Sequence, residues 1–126
     1  MFKKIIFIAG IVFSMLSNIN IANSMSVEQM YKSCLKYKNN SFEISSPSTH
    51  TCLAYMSGTM QTLDASCRAQ KAAFGKGSFY LANTKDITVD QFIMSFLKYA
   101  EKEVSEWNVW VAGSLISWAS KDFPCT

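Results

Sequence analysis

The sequence predicts an all-α fold, a small bundle of four to five helices stapled by two disulfides, and three observations carry this. Ser26 with Gln29 and Thr88 with Gln91 are two capping boxes, in which a hydroxyl accepts from the N3 amide while the N3 side chain accepts from the cap amide. Apolar residues then recur at three- and four-residue intervals, the period of a helix with one buried face. The four cysteines, Cys34, Cys52, Cys67 and Cys125, all lie downstream of an apolar N-terminal leader. An even number in a small exported chain reads as a disulfide framework.

The leader sets the domain limits. Lys3 and Lys4 precede an apolar run, Ile5 to Leu16, too short for a comfortable membrane span. Ala22-Asn23-Ser24 then places small residues where a signal peptidase reads them. Residues 1–24 are expected to be a cleaved signal peptide and 25–126 one domain of about 100 residues in the periplasm, with no membrane association after cleavage. The leader holds two of the 12 basic residues and none of the nine acidic ones, so its loss takes the net charge from +3 to about +1. No clustered basic face remains that would suit nucleic acid.

The first helix is expected from Ser26 to about Lys38, with Val27, Met30, Tyr31, Cys34 and Leu35 on one stripe. Asn39 to Ser48 is polar and rich in turn formers, hence a loop. The second helix is expected from about Thr49 to Cys67, with Cys52, Tyr55, Met56, Thr59, Met60, Leu63 and Cys67 as its main stripe. Ala54, Gly58, Ala65 and Ala69 line its other side, and a helical glycine suggests close packing against another backbone. Such a helix belongs at the centre of the bundle. Arg68 to Asp86 reads as a long connection around Gly75-Lys76-Gly77. Its Phe74, Phe79, Tyr80 and Leu81 are expected to fold back over the core, as in other ordered long loops. The alternative makes these aromatics anchors for a partner.

The third helix is expected over Val89 to Val104, with Ile87 and Phe92 as a hydrophobic staple at its start. The fourth is expected over Trp107 to Ser120, with Trp107, Val111, Ser114, Leu115 and Trp118 on one face and Val109, Ala112 and Ile116 nearly opposite. A helix apolar on most sides is either deeply buried or shared between molecules. Val109, Ala112 and Ile116 are therefore the expected interface of a homodimer.

Geometry prunes the three possible cysteine connectivities. Cys52 and Cys67 sit fifteen residues apart on one expected helix, about 22 Å along its axis, whereas bonded cysteines need Cα atoms within about 7 Å. Cys34 ends one helix and Cys52 begins the next, so an antiparallel hairpin brings them to the same end. The expected pairs are Cys34–Cys52 and Cys67–Cys125.

Catalytic constellations are missing from the pattern. His50 is the only histidine, with no nucleophile or ligand set around it. Carboxylates such as Asp64, Asp86 and Asp90 are scattered, and no closely spaced cysteine pair suggests zinc. The chain is expected to be no enzyme, with no cofactor and no metal, and to act by binding.

Several features in order resemble one family. Cys34 ends the first helix, Cys52-x-x-Tyr55-x-x-Gly58 lies on the second, and Cys67 follows. Ile87-Thr88-x-x-Gln91-Phe92 opens the third, and Phe123-Pro124-Cys125 closes the chain. Together they are similar to the type VI secretion amidase immunity proteins, the Tai and Rap periplasmic inhibitors. The resemblance implies an all-helical, often dimeric periplasmic protein that binds and occludes a toxic cell-wall amidase. The connection before the third helix combines aromatic anchors with positive charge, so Arg68, Lys71, Lys76, Phe79, Tyr80 and Lys85 are the expected contacts. A small helical periplasmic chaperone of the acid-stress type is the competing reading. One histidine and nine acidic residues leave few groups for a proton-driven switch.

Overall fold

A computed structural model of the chain describes residues 24–126; the expected leader lies outside the described residues apart from Ser24. Four α-helices follow in order: α1 (Val27–Asn39), α2 (Pro47–Phe74), α3 (Val89–Lys102) and α4 (Val111–Asp122), with a 3-10 turn at Val104–Glu106. Among the described residues no strand forms, and no helix is long and apolar enough to cross a membrane. The fold is all-α and carries both expected disulfides, Cys34–Cys52 and Cys67–Cys125. Their Cα atoms are 5.0 and 5.8 Å apart, well inside the reach of the bond.

Both expected capping boxes form. Ser26 Oγ accepts from Gln29 N–H and Thr88 Oγ1 accepts from Gln91 N–H, each at 3.2 Å, and the glutamine side chains return the bond. A third box opens α2 two residues earlier than expected. Ser46 caps, Pro47 takes the first turn, where its missing N–H costs nothing, and Thr49 is the N3 residue. The wholly buried Thr49 Oγ1 accepts from the amides of Ser45 and Ser46 and donates to Ser46 C=O.

At its other end α2 continues seven residues past Cys67. Arg68-Ala69-Gln70-Lys71-Ala72-Ala73 is made of strong helix formers that carry no buried stripe, so intrinsic propensity extends the helix where periodicity is silent. Gly75 stops it in the left-handed conformation, φ 71°, its N–H bonded to Lys71 C=O.

The fourth helix starts at Val111, not Trp107. The first amides of α1 lack partners within their own helix, and here Val27 N–H donates to Val109 C=O and Glu28 N–H to Trp107 C=O. Val111 N–H returns a bond to Met25 C=O. Residues 107–109 are thereby held as a turn and a bend against the start of α1, and Trp110 as an extended bridge to Ser26, which overrides their helical pattern. Trp107 lies 5.2 Å from the Tyr31 ring, and its Nε1–H donates to Ala100 C=O at 2.8 Å.

The core sits between α1, the inner face of α2, α3 and one side of α4. Phe92, Phe96 and Trp118 are its bulk, with ring centroids 4.9–5.8 Å apart. Tyr99 stacks over Trp118 and donates its hydroxyl to Glu106. Burial first, and then Glu106, hold the Tyr99 phenol well above its ordinary value of 10.0; Tyr31, Tyr37 and Tyr55 are raised too, chiefly by burial. A raised folded-state value gives stability that is complete below about pH 10 and lost above it, as unfolded chains ionise first. Melting temperatures are therefore expected to hold to about pH 10 and then fall. Tyr99→Phe should show a shallower fall over the same alkaline range by circular dichroism.

The C-terminal tail closes the fold. Asn83 N–H donates to Phe123 C=O and Cys125 N–H to Leu81 C=O, around an isolated antiparallel bridge between Ala82 and Pro124. Gly77 lies so close beneath Cys125 that an added Cβ would fall on the Cys125 carbonyl and 2.8 Å from its Sγ. Gly77 is thus a packing requirement of the tail. Gly77→Ala is expected to cost about 1–3 kcal/mol, as overpacking does. That is a fall of at least about 4 °C in melting temperature for a domain of this size; an unchanged melt would contradict the contact.

Candidate functional site

The segment between α2 and α3 is expected to fold back on the core, and it does so only in part. Leu81 packs against the core and Ala82 is buried, but Phe79 is 91% exposed and Tyr80 78%. The cause is local. Leu81 N–H donates to Ser78 C=O at 3.2 Å, which makes Phe79 and Tyr80 the two central residues of a turn. Turn tips are ordinarily Gly, Pro, Asn or Asp; here they are two aromatics that cannot reach inward. Phe74, at the end of α2, is exposed as well.

This turn stands on a rigid base. Gly77 is seated on Cys125, Leu81 and Asn83 are hydrogen-bonded to the tail, and Cys125 is bonded to Cys67 on α2. Large aromatic rings held at the surface on a fixed backbone lose little conformational entropy when a partner covers them.

The six expected contact residues do not form one cluster. Arg68 and Lys71 belong to α2, not to a loop. Arg68 Nε pairs with Asp64 at 3.0 Å, while the other Asp64 oxygen accepts from Thr84 N–H at 3.1 Å. Thr84 Oγ1 donates to Met60 C=O, so this set ties the connection to α2. Arg68 and Lys85 flank one hollow of about 490 Å³, together with Thr84 and Ile87. Lys76 and Phe79 line another with the tail, and Phe79 and Tyr80 a third with α4 and Lys121. Lys71 is half-buried and lines none of these hollows.

The small-residue side of α2 gives a second departure. Ala54, Gly58, Ala65 and Ala69 are exposed, and nothing lies within 4 Å of a Cβ built on Gly58. Among the described residues no helix covers that side. It faces α4 across an open apolar cleft of about 360 Å³, lined by Tyr55, Gly58 and Leu63 from α2 and by Ala112 and Ile116 from α4. Of the residues expected at a dimer interface, Val109 and Ile116 are exposed and Ala112 half-buried. The cleft itself was legible only as an unusual glycine within a helix.

His50 is exposed on the first turn of α2. Among the described residues no group of three His, Cys, Asp or Glu side chains lies close enough to hold a metal ion.

The fold and this surface define a class: a disulfide-stapled, four-helix domain presenting a clamped aromatic turn beside an apolar cleft. Its disulfides are those of an exported protein. No family model, curated protein or solved structure matches the chain.

Proposed function

We propose that the chain is a periplasmic immunity protein that binds a peptidoglycan amidase delivered by type VI secretion and blocks it by covering its active site. The observation that carries the reading is the Phe79–Tyr80 turn, two nearly fully exposed aromatics on a backbone clamped by Gly77, the tail and the Cys67–Cys125 bond. Exposed apolar side chains are tolerated singly, but a rigid aromatic pair is the usual anchor of a protein interface. The family resemblance of the cysteine and capping pattern supplies the class of partner. Export, through the leader and the disulfides, suits a target in the cell wall compartment.

Blocking requires no chemistry from the inhibitor, only a surface that outcompetes substrate. The test is direct: the mature chain, titrated into a purified type VI peptidoglycan amidase of the Cys/His class from the same organism, is expected to abolish hydrolysis of purified peptidoglycan at a one-to-one ratio. Full hydrolysis in the presence of excess protein would refute the proposal.

A further inference from the structure

We propose that the aromatic turn is one end of a longer docking face, continued by the cleft between α2 and α4, and that this face takes a segment of the partner protein carrying apolar side chains and, toward the turn, carboxylates. This rests on the functional reading above, with the amidase as partner.

Two glycines point to it. A glycine in a helix weakens that helix relative to alanine, so its presence asks for a reason. Gly58 lies in the interior of α2 and Gly113 in the first turn of α4, and a Cβ on either would meet nothing within 4 Å. Among the described residues no neighbour therefore requires them. Both open on the same surface: Gly58 lines the cleft, and Gly113 lines the adjoining hollow with Phe79, Tyr80 and Lys121. Ile116 lines both, which makes the two a single apolar strip. Missing side chains on both walls of an open strip leave room for another backbone to approach closely.

Charge selects the occupant. The cleft end carries no charged residue, whereas the turn end carries Lys121 and, across Phe79, Lys76. Neither lysine has an ion-pair partner among the described residues, and no Asp or Glu lines these hollows. Asp122, beside Lys121, is engaged at 2.8 Å by Trp118 Nε1–H and also by the Ser95 hydroxyl. A second copy laid face to face would bring only these same residues and leave the lysines unanswered. An acidic segment answers them and would be steered to the face by their field.

The experiment measures binding of the mature chain to a purified type VI peptidoglycan amidase of the Cys/His class from the same organism, with two variants. Gly58→Leu is expected to melt no lower than the parent yet bind at least about thirtyfold more weakly, as a bulky side chain at an interface centre does. Lys76→Glu with Lys121→Glu is expected to lose about tenfold or more and to flatten the salt dependence, while Lys36→Glu on α1 changes neither. If the parent chain fails to bind, the functional reading falls and this proposal with it. If the parent binds and Gly58→Leu binds equally well, the docking face is wrong while the functional reading stands. If sedimentation shows that Gly58→Leu acts by splitting a homodimer, the cleft belongs to a second copy and the proposal is overturned.

Discussion

Serine at both Cys67 and Cys125 is expected to lower the unfolding free energy by about 4 kcal/mol. The bond closes a loop across a sequence separation of 58, against 18 for Cys34–Cys52. In the chain-entropy account the two closures are worth about 4 and about 3 kcal/mol. Small domains have a net stability of about 5–15 kcal/mol, so either loss removes a large fraction of it. The structural consequence should also differ between the pairs. Cys34–Cys52 joins the adjacent ends of α1 and α2, which remain packed along their length through Met30, Tyr37 and Met56. Cys67–Cys125 holds a short tail that contributes Phe123 to the core and backbone bonds to Leu81 and Asn83. Its loss should release the tail and, with it, the base of the aromatic turn. Urea midpoints of the two double-serine variants would check the order. Amide exchange at Asn83 should speed up markedly in the Cys67/Cys125 variant alone. A larger loss from the Cys34/Cys52 variant would count against this account.

Phe79→Ala combined with Tyr80→Ala is expected to weaken binding to the proposed amidase partner by about a hundredfold or more, the range of a paired aromatic hot spot. The melting temperature should stay within about 2 °C of the parent, because surface changes of this kind rarely exceed about 0.5 kcal/mol. The two readouts separate an anchor from a core cover. Side chains that are 91% and 78% exposed have little packing to lose, so a large fall in stability with unchanged affinity would show that the turn closes the core in solution. Calorimetric titration and a thermal melt of the same preparation answer both questions.

Much of the fold is legible in short stretches of chain. The boxes at Ser26 and Thr88 work between residues three apart, and their geometry depends on nothing distant. The stripes of α1 and α3 set which faces are buried, and Val27, Met30 and Cys34 on α1 and Phe92, Ile93, Phe96 and Leu97 on α3 are all in the core. Disulfide pairing followed because a continuous helix is a ruler: once Cys52 and Cys67 share α2, they are too far apart to bond. The ends of α2 were harder to read. Residues 68–74 are helical by propensity without an apolar period, and Pro47, which follows a polar run of turn formers, occupies the first turn of the helix. The sign of the stop, Gly75, was present, but the flexible look of Gly75-Lys76-Gly77 concealed two different tasks.

What short-range chemistry settled is therefore the helical class, the caps, the buried stripes and the two covalent staples. The distribution of open and covered surface depended on contacts between distant segments. Residues 107–110 leave their helical pattern because the unpaired amides of α1 need their carbonyls. The turn that carries Phe79 and Tyr80 is local, but its base is fixed by the distant tail, through Gly77 on Cys125 and the bonds of Leu81 and Asn83. Gly58 faces open space because α4 stops short of covering α2. Hydrogen bonds and stripes within a helix are satisfied three or four residues away, so the sequence displays them. Which groove remains empty depends on where every other element comes to rest, and no local pattern encodes that.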